Sequence, residues 1–291
     1  MDTLFTLATL AAAIRLAIPV AVAALGEVVT ERSGVLNLGL EGTMLFGALA
    51  GYLATLGTGT PWLGLGAGLG AGAACGAVLA LLMVVVRADQ IVTGLAFTLF
   101  AGSATTYLFE LSYTIGQAPP RIASLSMVPL VVIVLVVLAA VWFVLTRTSA
   151  GLVLSAAGEA PAAADALGYR VAHVRSAATV AGSALAGLAG AMLVCGPLGL
   201  FVQNVTAGRG WVALALVVFA RWRPGRAVAG ALLFGLCDAA QLRLQGTATA
   251  VPYEVFLALP YVVTLLALMV RARRSGTPAA LAVPFVRGRP T

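Results

Sequence analysis

Leu125 to Thr146 reads LSMVPLVVIVLVVLAAVWFVLT, a run with no charged residue. A helix needs about 20 mostly apolar residues to cross the bilayer core. This stretch meets that need and stops at Arg147, where the longest internal polar segment, 147–175, begins. The same pattern recurs on both sides of it. Candidate spans fall at roughly 4–25, 36–57, 62–86, 91–111, 125–146, 177–200, 205–220, 227–245 and 254–270. Charged residues make up 9% of the 291 residues and hydrophobic ones 61%, with a mean hydropathy of +1.05. An ordinary soluble domain carries about 25% charged residues. A soluble fold of this size would lack the polar groups to cover its surface, and a disordered chain would be poor in apolar residues. The expected fold is an all-α polytopic membrane protein with about nine transmembrane helices, range about 8–10. The segment 205–220 is short and 36–57 is rich in glycine, so each is a candidate for a broken or re-entrant helix. Asp2 stands where a secretory signal would be basic, and Arg15 interrupts the apolar run; 4–25 therefore reads as the first span.

All 17 basic residues are arginine. Without lysine there is no phosphate-loop lysine for ATP hydrolysis and no Schiff-base chemistry. The single histidine, His173, excludes a two-histidine zinc helix. Cys75, Cys195 and Cys237 lie far apart in apolar runs and read as free thiols acting as small hydrophobes. No enzyme activity, cofactor or metal is expected. The net charge of +7 forms no nucleic-acid stripe. Instead, with nine spans, 13 of the 17 arginines collect on one side. The positive-inside rule then places the N-terminus outside and the C-terminus in the cytoplasm, and puts 147–175 on the cytoplasmic side. One transmembrane domain, 1–270, and a basic tail, 271–291, follow. The tail has few apolar positions in register, so disorder near anionic lipid headgroups is expected.

Small residues run through the spans, notably Gly64, Gly66, Gly68, Gly70 and Gly72, and then Gly182, Ala186, Gly187 and Gly190. Lipid gives helices no hydrophobic reason to associate, so close backbone approach must do that work. The pattern suits tight packing, including packing against a second membrane subunit.

Four constellations stand out. In the stretch from Gly26-Glu27 to Gly42, Asn37 and Glu41 lie four apart on one helical face. Polar groups inside a membrane are costly unless they face protein or water, and Gly34, Gly39 and Gly42 permit a helix break. Asn37, Gly39, Glu41 and Gly42 are therefore candidates for pathway lining or gating, or for a polar lock between helices. Arg87-Ala88-Asp89-Gln90-Ile91-Val92-Thr93-Gly94 is a turn in which Asp89 suits an N-cap; Asp89, Gln90 and Thr93 are further pathway candidates. Gly158-Glu159-Ala160-Pro161 to Gly168 predicts a short helix of about two turns, with Pro161 in its first turn and Gly168 just past its end. Glu159 lies near its positive terminus. Such a small-faced helix suits docking into a partner's groove. Arg221-Trp222-Arg223-Pro224-Gly225-Arg226 reads as an interfacial anchor, and Trp62, Trp142, Trp211 and Trp222 as an aromatic belt.

Together these segments resemble the permease family of ATP-binding-cassette (ABC) importers for branched-chain amino acids, simple sugars and nucleosides, nearest its sugar/nucleoside branch. The stretch ending Asn37-Leu38-Gly39-Leu40-Glu41-Gly42 is similar to that branch's N-[LI]-G-x-E-G signature. Ala88 to Gly94, Gly158 to Gly168, Ser183 to Gly190, Ala213-Leu214-Ala215 through Pro224-Gly225, and Phe234-Gly235 follow in the family's order, over about residues 20–270. The resemblance implies a bacterial inner (plasma) membrane permease subunit that passes a small polar solute, a nucleoside before a sugar. It implies three partners: a cytoplasmic ABC ATPase, a related second permease and an extracytoplasmic substrate-binding lipoprotein. It assigns ATPase coupling to Gly158, Glu159, Pro161, Ala163, Ala164 and Gly168. Ala160, Ala162 and Asp165 depart from the asparagine, charged residue and arginine common in the family, which makes this docking face less polar. The competing reading is a self-contained ion-coupled transporter or channel using Glu41, Asp89, Glu110, Asp238 and Glu254.

Overall fold

The computed structural model describes residues 7–112, 119–245 and 276–287. Among these, ten α-helices follow in order and no strand occurs: α1 Leu7–Arg32, α2 Leu40–Thr58, α3 Pro61–Ala80, α4 Gln90–Ser112, α5 Met127–Arg147, α6 Ser149–Glu159, α7 Pro161–Ala166, α8 Val171–Leu193, α9 Arg209–Ala220 and α10 Pro224–Gln245. Short π-helical segments prolong α3 through Leu81–Val85 and α8 through Val194–Leu198. Five of these helices, α1, α3, α4, α5 and α8, are long and apolar enough to cross a membrane. Helix α9, with 12 residues, is about 18 Å long, little more than half the ~30 Å hydrocarbon core. The expected span at 254–270 lies outside the described residues.

The centre of the molecule is α8, packed on α1, α2 and α3. Glycines set how close these helices come. Gly182 of α8 abuts Gly26 and Thr30 of α1; Gly187 abuts Gly68 and Gly72 of α3; Gly190 sits on the Met44 carbonyl of α2. A methyl group added at Gly187 would stand 2.6 Å from the Gly72 Cα. Backbones in this contact leave no room for any side chain, which is how dispersion replaces the missing hydrophobic drive. Helices α4 and α5 stay at the rim, with Leu99 and Val128 among their outward apolar residues.

The span expected from residue 36 begins instead at Leu40. Residues 36–39 are unwound because side chains take over their backbone donors. The Leu36 amide donates to Gln90 Oε1 (2.8 Å), the Asn37 amide to Glu27 Oε1 (3.1 Å) and the Gly39 amide to Asn37 Oδ1 (3.0 Å).

The polar segment 147–175 holds two helices where the sequence suggests one. Thr148 caps the first turn of α6 by accepting the Gly151 amide, and α7 follows after Ala160. Residues 276–287 of the expected tail are among the described residues. They lie against this loop, with the Ala280 amide on the Gly158 carbonyl (2.9 Å) and the Ala282 amide on the Gly34 carbonyl (3.2 Å). Phe285 packs onto Ala157, Ala164 and Val171. Irregular backbone held by distant partners carries no periodicity for hydropathy to reveal.

Candidate functional site

Helix α7 is short, and its ends are chemically fixed. Pro161 occupies its first turn. Gly168 follows its C-cap with φ +89°, a conformation that costs a residue with a Cβ. The Gly168 amide donates to the Asp165 carbonyl (2.9 Å) and the Tyr169 amide to the Ala164 carbonyl (3.1 Å), the paired bonds of a Schellman cap. The helix then has two faces. Pro161 and Ala164 are buried, whereas Ala162, Ala163, Ala166 and Leu167 are exposed. Leu167 is 77% exposed.

The buried face is held at its root. Gly158 lies on the Arg32 carbonyl at the end of α1, with no space for a side chain. Glu159 accepts the Ala279 amide (3.1 Å) and Asp165 accepts Arg287 Nε (3.0 Å), so both acids bind the C-terminal segment. Arg175 of α8, 2% exposed, joins the parts. Its Nη1 donates to the Val283 carbonyl (2.7 Å), and its Nη2 to the carbonyls of Ala157 (3.1 Å) and Ala280 (3.5 Å). One guanidinium thereby ties α8, α6 and the C-terminal segment together. The sequence reading missed Arg175, because its partners are backbone carbonyls, two of them more than a hundred residues away.

The second group of candidates forms a polar lock. Glu41 is buried and accepts three bonds: from Thr206 Oγ1 (2.5 Å), the Gly208 amide (2.8 Å) and the Gly210 amide (2.6 Å). Its carboxylate thus sits on the positive N-terminal end of α9, where negative charge is stabilised. Asn37 Nδ2 donates to Ser183 Oγ (3.3 Å). Gly39 and Gly42 admit Phe97 and the α4 backbone at Thr98. Gln90 is used on Leu36, and Asp89 accepts the Val92 amide (2.9 Å) as the cap of α4. Thr93 borders an open groove of about 670 Å³ with Phe46, Phe97 and Phe100.

Two further carboxylates belong to this lock. Glu27 and Glu31 are buried one turn apart on α1, and Glu31 Oε2 accepts Trp222 Nε1 (2.5 Å). Trp222 is therefore no belt residue, while Trp62, Trp142 and Trp211 remain exposed. The signal for the pair was present: two glutamates at i and i+4, adjoining an apolar run.

The other carboxylates considered for ion coupling are locally engaged. Glu110 accepts Gln203 Nε2 (2.8 Å), and Asp238 faces Arg209 at 3.9 Å. Glu254 lies outside the described residues.

Comparison with known proteins identifies the family. Residues 9–268 match the family model described as "Branched-chain amino acid transport system / permease component". A Haloferax volcanii protein provisionally named a glucose ABC transporter permease is 40% identical over 84% of this chain and 80% of its own. The guanosine ABC transporter permease protein of Bacillus subtilis is 32% identical over 94% of both chains. A nucleoside ABC transporter permease protein of Lactococcus lactis is 30% identical over 93% of this chain and 94% of its own. No solved structure matches the chain. The chain belongs to the branched-chain amino acid transport system permease family, and is a multi-pass plasma-membrane permease subunit of an ABC transporter.

Proposed function

We propose that this permease imports a nucleoside, and that α7 is where an ATPase subunit drives it. The observation that carries the coupling is the two-faced α7. Its outer face of Ala162, Ala163, Ala166 and Leu167 is bare, while on its inner face Ala164 packs against Ala157 of α6, Val171 of α8 and Phe285 of the C-terminal segment. A push on such a helix passes to α8, the centre of the bundle, without bending a loop. Gly158, Glu159, Pro161, Ala164 and Gly168 fix its position; Ala163 meets the ATPase. The chain has no lysine, so ATP hydrolysis belongs to the partner. In this reading α7 and the C-terminus are cytoplasmic, the N-terminus is outside, and about nine spans cross the bilayer. A related second permease completes the pathway, and a lipoprotein receptor delivers solute from outside. Asn37, Gly39, Glu41, Gly42, Asp89 and Gln90 hold the broken α1–α2 junction that alternates between states, and Thr93 lines the pathway.

The guanosine and nucleoside permeases, aligned over more than nine-tenths of the chain, support the nucleoside reading. Glucose is the second reading, favoured by the 40% identical relative. The test is to co-purify the chain with its ATPase and receptor and measure solute-stimulated ATP hydrolysis. Guanosine is expected to stimulate and glucose not. Ala163→Glu, at an exposed site, is expected to release the ATPase while leaving the permease monodisperse. Unchanged assembly and unchanged stimulation in Ala163→Glu would remove α7 from the coupling.

A further inference from the structure

At the end of the molecule that carries α7, a cleft of about 380 Å³ opens between the end of α3, the start of α8 and the C-terminal segment. Arg87, Arg170, Arg175 and Arg287 line it, and Asp165 is the one acid on the lining. That carboxylate is taken by Arg287 at 3.0 Å. Arg87 and Arg170 are exposed and have no ion pair among the described residues. Arg175 is buried. Its terminal nitrogens meet only carbonyls, and its Nε has no acceptor among the described residues. Burying a guanidinium without a counter-charge is expensive, so this wall calls for an anion. The cleft also faces the start of α8, whose N-cap, Arg170, supplies no side-chain cap and whose first turn has no acid. The positive end of a 23-residue helix therefore adds to the field of the arginines.

The apolar part of the lining selects among anions. Val84 and Phe285 form one side of the cleft. Beside them Leu81 and Val85, both more than half exposed, lie on the π-helical extension of α3, and the two together form a helix able to span the membrane. A free phosphate has no use for that strip. A phospholipid fits both parts, with its phosphate among the arginines and an acyl chain along α3.

We propose that this cleft binds the phosphate headgroup of an anionic membrane lipid, with Arg87 and Arg170 as the direct ligands. The bound lipid completes the wall on which α8, α7 and the C-terminal segment meet. The site stands apart from the ATPase reading, since it requires only that the chain lies in a membrane.

The test uses the full-length chain in mild detergent, titrated with phosphatidylglycerol, phosphatidylcholine or inorganic phosphate and read by native mass spectrometry. Wild type is expected to hold one phosphatidylglycerol in preference to phosphatidylcholine. At about 1 kcal/mol per arginine near the surface, Arg87→Gln/Arg170→Gln is expected to weaken it roughly 30-fold. Arg147→Gln, an exposed arginine at the end of α5 and off the cleft, controls for general charge and is expected to leave binding unchanged. Both altered arginines are exposed, and a monodisperse elution profile checks that the variant folds. Equal phosphatidylglycerol affinity in the double variant and wild type overturns the proposal. So does equal binding of phosphatidylcholine, or a cleft that takes inorganic phosphate and ignores the lipid.

Discussion

Along α3, the glycines at 64, 68, 72 and 76 touch α2 or α8, whereas those at 66 and 70 have no atom within 4 Å of where a Cβ would stand. The residue type and the helix are the same; only the face differs. The first set repeats every four residues, so it forms one stripe along the helix. The opposite face looks outward, as α4 and α5 do. A glycine in a membrane helix thus has two meanings, and only the packing register separates them.

Three substitutions sharpen that contrast. Gly187→Leu would drive a side chain into the α3 backbone at Gly68 and Gly72. Overpacking costs about 1–3 kcal/mol even where side chains can yield, and here the neighbours are backbone. The expected result is loss of the monodisperse peak in fluorescence-detected size exclusion; a surviving peak would mean the hub is not glycine-set. Glu41→Gln comes next. The amide keeps an oxygen for one side of the α9 terminus but turns an NH2 toward a backbone N–H. Losing a charge-assisted bond costs about 1.5–3 kcal/mol, read as a lower melting temperature in detergent. No shift would show that the lock contributes little. Gly70→Ala lies at the small end. On the open face it should raise stability by roughly 0.5–1 kcal/mol, the helical preference of alanine over glycine. A loss there would reveal a contact on that face, such as a second subunit retained in the sample.

The two polar regions compare in the same way. Helix α7 could be read from Pro161 and Gly168, because caps are local chemistry. The lock around Glu41 could be read only as two polar residues on one face, and the sequence left lining and locking both open. Its partners, Thr206, Gly208 and Gly210, lie about 165–169 residues on. Helix α6 was missed because the segment reads as a polar connector, and its small apolar face packs mainly on the neighbouring helices α5, α7 and α8.

By itself, the sequence determined the membrane class, the positions of the five long apolar helices, the order of the motifs and the ends of α7. These follow from hydropathy, charge and caps, which act over one to five turns. The tertiary structure decided which face of each helix is inside. It also brought Trp222 to Glu31, Glu41 to α9, and Arg175 to the C-terminal segment. In a membrane span both faces are apolar, so the periodicity that marks the inner side of a soluble helix is missing. Side choice then falls to glycine-to-backbone fit between helices far apart in the chain, a property of the packed bundle and of no single stretch.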